Sequence, residues 1–480
     1  MGIASTTLTI GDGGLGTSRT LARPPAIVGC SASGTAATAG LYSSIEDALT
    51  DFGYGKLTAL AAEYFAGAGG PLVLVKAASS TAGSCSAVTA GGSNTSTAVL
   101  TVTTATARDD FRVKYLVTRA GADLAASTAA VKISLDGGGT YSEEFAVPVD
   151  GAITIPNTGI VTDFADGTFV VGDSFTFTAT APIWDTTALG AALDALEETT
   201  FDHEFVHVAE HVTGATVGTL NTSVSGLESV NTFRWWLAGA RDQGSGESVS
   251  TWQGVLVGTS PGFSAFSSRH GAICAAFAER QDALWGCSMR RNVAWAIGPR
   301  LALLREVSGG AGLAEHPGRV RSGALSGIAE GELVHDFRTL TALDTARFMG
   351  AQSLPGRAGY YATAMTRATA GSDFTSIMHV RLVKEAARLA VSVTQEYIND
   401  NVRTITGGKL DPRDADAIDA YVTAALVRDL VAAGLASAAS SAVDRTNNVV
   451  STSQLNFKVR VRPLGYATTL DIDLSLSTAE

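Results

Sequence analysis

The chain has 480 residues, which at roughly 150 residues per domain points to about three domains and excludes a peptide-sized or disulfide-framework protein. Lys and Arg number 34 against 46 Asp and Glu, a net charge of −12 that excludes a basic nucleic-acid clamp, so no direct nucleic-acid partner is expected. Charged residues are only 17% against about 25% in ordinary soluble proteins, while Gly is 52 and hydrophobic residues 45%, the composition of a folded, Gly-rich chain.

The four cysteines (Cys30, Cys85, Cys274, Cys287) lie far apart and match no C-x-x-C pattern, so free thiols in a reducing compartment are expected. The start, Met1-Gly2-Ile3-Ala4-Ser5, lacks a basic region followed by an apolar stretch, and no run of about 18 apolar residues occurs. A protein made in the cytoplasm, with no membrane insertion, is expected.

Residues 1–20 read as an arm and hinge: 5–10 (STTLTI) are β-prone, and the glycine-rich 11–16 that follow cannot pack alone. Ala26, Ile27 and Val28 read as a buried strand. Ser43 with Glu46 forms a capping box that opens a helix running to about Phe52. A second helix over 56–66 puts Leu57, Leu60, Ala61, Tyr64 and Phe65 on one face. Gly69-Gly70-Pro71 ends it before an apolar strand at 72–75. Apolar strands alternating with helices predict a buried parallel sheet.

Composition shifts at about Ala78 to Ser, Thr and Gly. Val113, Tyr115 and Val117 alternate with Lys114, Leu116 and Thr118, and Phe175 and Phe177 with Thr176 and Thr178. Asp136-Gly137-Gly138-Gly139 and Asp166-Gly167 supply turns. Because helix and strand patterning stops before this stretch and resumes after it, residues 78–185 read as an inserted all-β domain, a small sandwich or barrel.

From 186 the alternation returns, with helices near 188–198 and 217–230 and strands at 204–209, 233–237 and 255–257. A long helix is expected over 373–399. Another opens at Asp411, an N-cap with Pro412 at the first helical position and Asp414 and Asp416 in the first turn. Residues 454–462 (QLNFKVRVR) are again β. In 466–477, Leu470, Ile472, Leu474 and Leu476 alternate with Thr469, Asp471, Asp473 and Ser475. The fold expected is an α/β (α+β) discontinuous core, 21–77 plus 186–463, interrupted by the sandwich-like insertion and flanked by strand-forming arms at 1–20 and 464–480.

Four motifs mimic chemistry. His203-Glu204-Phe205-Val206-His207 matches the H-E-x-x-H of zinc proteases, with His211 nearby, but that pattern binds metal only on a helix. These surroundings are β-prone, and four residues of strand span about 13 Å, beyond two zinc bonds of about 2 Å each. A strand with rim or surface histidines is expected. Gly258-Thr259-Ser260-Pro261-Gly262 matches the G-x-S-x-G elbow of α/β-hydrolases, yet the residue after the serine, Pro261, has no N–H to give an oxyanion. A strand-to-loop turn is expected. Gly11-x-Gly13-x-x-Gly16 fits the dinucleotide fingerprint, but Pro24-Pro25 stands where the helix should continue. Asp411, Asp414, Asp416 and Asp419 resemble a calcium loop loosely and read as helix-capping carboxylates. No catalytic residue, metal or cofactor is assigned, so an enzyme is not expected. A hydrolase or zinc protease using GTSPG or HEFVH, and an exported surface adhesin, stand as alternatives.

What remains is a strand-like segment at each end. An unpaired β arm invites aggregation unless it is built to add to a neighbour's sheet. In this order of pieces the chain resembles the contractile tail sheath proteins of bacteriophages and related injection systems. The residues that carry the resemblance are 23–29 (RPPAIVG), 48–53 (ALTDFG), 63–65 (EYF) before a Gly-Gly turn, 72–75 (LVLV), 133–138 (ISLDGG), 169–177 (FVVGDSFTF), 371–374 (GSDF) and 397–403 (YINDNVR), with the terminal strands. The resemblance implies a structural subunit, a homo-oligomer of stacked hexameric rings in a helix around an inner tail tube protein. Baseplate and terminator proteins are the other partners it implies. It implies contraction that drives the tube through a target envelope, in a phage virion tail or injection-system particle. The insertion would be an outer domain, and the helices flanking Asn401 to Asp411 would face the tube. Strand exchange falls on Leu8, Ile10, Leu470, Ile472, Leu474 and Leu476, received by Phe457, Val459 and Val461, with Gly11, Gly13, Gly14, Gly16 and Gly465 as hinges.

Overall fold

The computed structural model describes residues 23–125, 128–259, 261–307, 311–329 and 331–467. A six-stranded sheet organises its first core, in the order Gly271–Cys274, Trp235–Gly239, Phe205–His211, Ala26–Gly29, Leu72–Lys76, Ala39–Tyr42. The first five strands are parallel and the last antiparallel. Ala26–Gly29 and Leu72–Lys76 are almost unbroken apolar runs because helices cover both faces, and Ala26, Ile27 and Val28 are fully buried; Phe205–His211 between its neighbours also buries His207 and Glu210. The sheet takes strands from both sides of the Ser/Thr-rich stretch.

That stretch forms antiparallel strands in two sheets. Phe111–Arg119 pairs with Ser174–Thr180 and Ala130–Ser134, and Ile160–Phe164 with Ala152–Ile155 and Leu100–Ala105. Val113, Tyr115, Val117, Phe175 and Phe177 all point inward, as their alternation requires, and share one core with Ile153, Ile160 and Phe164 of the other sheet. The Tyr115 hydroxyl lies 2.7 Å from Thr162 Oγ1 across it. Asp136 Oδ1 accepts the Gly139 and Thr140 N–H groups at 2.8 and 2.9 Å and fixes the glycine turn.

Asp109, fully buried at the edge of this β-rich stretch, ties it to the parallel-sheet core. Arg291 holds it through two 2.7 Å bonds and reaches Asp282 at 2.9 Å, while the Trp285 indole N–H donates to it at 2.7 Å. Lys56 to Asp110 and Arg112 to Glu279, both 2.7 Å, flank this contact.

Several boundaries differ from the sequence reading. The first helix is Ile45–Phe52 with Ser44, not Ser43, as its cap, because it is the Ser44 side chain that accepts the Asp47 N–H. Residues 255–257 are not a strand: Ser248 caps the helix Val249–Val257, which buries Trp252 and Leu256 one turn apart. The helix near 217–230 is Gly214–Gly226, started by a Thr213 capping box and ended in a 3-10 turn. The strand near 233–237 is Trp235–Gly239. The long helix is Ile377–Thr394, shorter than 373–399 because Gly371 turns with φ +80° and Ser376 supplies the cap.

Candidate strand-exchange site at the terminal hairpin

The third core is built by Ile377–Thr394, Pro412–Leu426 and the C-terminal hairpin. Asp411 opens the second of these helices as expected, accepting the Arg413 N–H at 2.8 Å ahead of Pro412. Ala415, Ile418, Val422 and Leu426, spaced three and four apart, form its buried face. The remaining carboxylates are not caps: Asp414 pairs with Arg403, and Asp416 and Asp419 with Arg445. A π turn at Val427–Val431 and a turn at Gly434, φ +75°, send the chain into Ala436–Val443.

Ala436–Val443 pairs antiparallel with Phe457–Pro463, and among the described residues this sheet has two strands. Phe457, Val459 and Val461 are half-buried against the third core, whereas Lys458, Arg460 and Arg462 are exposed on the other face.

The hydrogen bonds of this hairpin show which edge is open. The Ser441 N–H donates to Thr423 Oγ1 at 3.0 Å and the Val443 N–H to Asp419 Oδ1 at 2.6 Å, both on the neighbouring helix. These two residues therefore turn their backbone groups away from the partner strand, which makes Ser441–Val459 and Val443–Phe457 non-hydrogen-bonded pairs. In such pairs the opposite residue also points away. The N–H and C=O groups of Phe457, Val459 and Val461 thus face the outer edge of their strand, while those of Lys458, Arg460 and Arg462 hold the hairpin. The Ala436–Val443 edge is covered by helix side chains. Among the described residues the Phe457–Pro463 edge is the one left free to take another strand.

The three expected receiving residues are therefore brought together on one edge. Gly465 lies just beyond it in open space, and the Tyr466 hydroxyl donates to the Ala314 carbonyl at 2.6 Å, fixing where the chain leaves. Leu8, Ile10, Leu470, Ile472, Leu474 and Leu476, with Gly11, Gly13, Gly14 and Gly16, lie outside the described residues. Sequence reading missed Thr423 and read Asp419 as a helix cap, because their covering of the strand edge depends on how the helix docks. It also passed over the three cations, visible as the alternate positions of KVRVR.

The enzyme-like motifs have other uses. HEFVH runs into the strand Phe205–His211, but its histidines are not at a rim: the strand is internal to the sheet, and His203 and His207 are buried. Burial pushes both down to about 3. His207 Nδ1 lies 2.8 Å from the Tyr64 hydroxyl, under Gly298, where a Cβ would collide with that hydroxyl. GTSPG follows a helix rather than a strand, which removes the elbow's context; Ser260 lies outside the described residues. A cleft of about 400 Å³ opens at the C-terminal ends of the parallel strands, lined by Lys56, Asp110, Glu210, His211, Asp242 and Arg290. Two of its cations are paired, Lys56 with Asp110 at 2.7 Å and Arg290 with Asp242 at 2.9 Å, while the buried Glu210 accepts the Cys30 N–H at 2.6 Å. Among the described residues no three His, Cys, Asp or Glu are grouped to hold a metal ion, and no helix is long and apolar enough to cross a membrane.

Comparison with known proteins agrees with this architecture. Residues 5–365 match the family model described as DUF2586, N-terminal domain, and residues 373–479 the DUF2586, C-terminal domain. No curated protein matches. Among solved structures, the helical sheath of the anti-feeding prophage in its contracted state has a TM-score of 0.53 at 11% identity, covering 99% of this chain and 100% of that one. The sheath complex of the extracellular contractile injection system PVC, also contracted, gives 0.53 at 11% over 99% of each chain. A chain of the six-fold symmetrised anti-feeding prophage baseplate gives 0.54 at 10%, over 99% of this chain and 100% of that one. The fold is that of contractile sheath proteins, as the sequence resemblance implied.

Proposed function

The chain belongs to the DUF2586 family and has the fold of contractile sheath proteins, and from that premise we propose that it is the structural subunit of a contractile tail sheath. Copies stack as six-fold rings in a helix around an inner tube. The core, 21–77 with 186–463, faces the tube, and the β-rich 78–185 face outward. Segments carrying Leu8 and Ile10, and Leu470, Ile472, Leu474 and Leu476, add to neighbours' sheets, with Gly11, Gly13, Gly14, Gly16 and Gly465 as hinges. On a trigger at the baseplate, core surfaces exchange partners while main-chain hydrogen bonds of the exchanged sheet persist, so the sheath shortens without coming apart. The tube is driven through a target envelope, from a phage tail or an injection-system particle.

The observation that carries this reading is the outer edge of Phe457–Pro463, a row of donors and acceptors that pairs with no other strand among the described residues. Likeness to sheath chains over 99% of the length supports it. The test is negative-stain microscopy of the purified chain, alone and with its inner-tube partner, beside a variant lacking residues 1–16. Hollow cylinders that vanish on truncation are expected. Discrete particles unchanged by truncation or by the tube partner contradict the proposal.

A further inference from the structure

The open edge carries charge as well as hydrogen-bonding groups. Lys458, Arg460 and Arg462 stand exposed on one face beside it, and none enters an ion pair with another described residue. The two ends of the chain differ in what they can bring to that face. Residues 5–10 (STTLTI) carry no charge at all, whereas 466–480 (YATTLDIDLSLSTAE) hold Asp471, Asp473 and Glu480 and no Lys or Arg.

Alternation in a strand sets where those acids fall. With Leu470, Ile472 and Leu474 continuing the apolar face of Phe457, Val459 and Val461, Asp471 and Asp473 must stand on the opposite face. That is the face of the three cations, and it is so whether the added strand runs parallel or antiparallel. A slip of one residue would turn the leucines to water and the acids to the core, so charge and hydrophobicity specify the same alignment. We infer that the occupant of the Phe457–Pro463 edge is residues 469–476 of a second copy of this chain, chosen over residues 5–10 by pairing of Asp471 and Asp473 with Lys458, Arg460 and Arg462. This rests on the strand-exchange reading above and narrows it to one arm and one alignment.

Charge reversal in the full-length chain tests it. K458E/R460E/R462E and D471K/D473K each replace attraction by repulsion, so each alone needs about tenfold more protein to sediment as polymer at about 0.05 M NaCl. The two variants mixed, and all five changes in one chain, recover wild-type assembly, because acid again meets base at every edge. At about 0.5 M NaCl the differences between variants collapse. Melting curves matched to wild type guard against misfolding, and D471N/D473N, which adds no repulsion, falls between wild type and reversal. If the reversed variants assemble like wild type while removal of 464–480 abolishes assembly, strand exchange stands and the charge pairing is wrong. Reversal without recovery in the mixture overturns the pairing as well. If removal of 464–480 changes nothing, strand exchange by this arm and the pairing built on it both fall.

Discussion

Arg291 holds two buried carboxylates, Asp109 and Asp282, across the contact between the β-rich stretch and the parallel-sheet core, and its guanidinium lies 4.4 Å from the Trp295 ring. Removing one member of such a network leaves uncompensated buried charge, which costs about 3–5 kcal/mol. Arg291→Ala is therefore expected to lower the thermal midpoint by many degrees, whereas exposed Arg428→Ala, whose pairing with Asp429 is solvated, stays near wild type. Equal midpoints for the two variants would contradict the account. His203 and His207 make stability depend on pH. Burial depresses both to about 3 from an ordinary 6.5, so the unfolded chain takes up protons as the pH falls below about 6.5 while the folded chain does not. Stability is fully present above that pH and lost below it, at about 1.4 kcal/mol per unit for each histidine. His207→Phe gives up the Tyr64 bond, about 1 kcal/mol at pH 7.5, but also one proton's worth of acid sensitivity. Urea titrations at pH 7.5 and 5.5 should show its deficit shrinking or reversing at the lower pH; a constant deficit refutes the assignment. The HEFVH pattern illustrates what sequence could tell at this scale. Its β-prone neighbours revealed the strand, but burial of the histidines came from the strand's internal position, which only the sheet order sets.

At the scale of elements, the hairpin makes a sharp distinction between neighbouring residues. The Val459 N–H points to the open edge and the Arg460 N–H into the hairpin. Proline lacks that donor, and edge strands tolerate it where the missing N–H faces outward. Val459→Pro should leave a folded protomer with near wild-type melting yet weaken polymer formation, while Arg460→Pro should lower the melting temperature itself. Matched melting and sedimentation of the two variants decide the point, and the reverse order would show that the open edge has been misassigned. Legibility varied by element for physical reasons. The strands at Ala26–Gly29 and Leu72–Lys76 were plain because burial on both faces demands unbroken apolar runs. The edge strand Ala39–Tyr42, with the sequence AGLY, has weak β propensity and is held by pairing with Leu72–Lys76 and by Tyr42, which packs on Phe52 and donates to Asp51 at 2.9 Å. Val255-Leu256-Val257 looked like a strand, but Ser248 capping and the burial of Trp252 with Leu256 outweigh β-branched preference.

At the scale of the whole molecule, three hydrophobic cores organise the described residues, and the hairpin with the open edge belongs to the last of them. The Asp109 network joins the first two, so under load they should move together rather than hinge apart. Strand addition between copies uses different surfaces on donor and acceptor, a heterologous contact whose repetition closes a ring or continues as a helix. The sequence order of arm, core, insertion and arm was enough to suggest this plan, since each piece announces itself by composition or alternation. Which edge of the hairpin is covered was hidden, because it depends on Thr423 and Asp419 reaching across from a helix. The central claim is that this edge is completed by a neighbour. Cryo-electron microscopy of the assembled polymer tests it most directly: a third strand, traced to another subunit and hydrogen-bonded to Phe457, Val459 and Val461, is the predicted result. A polymer in which that edge faces solvent, or packs against side chains alone, would contradict it.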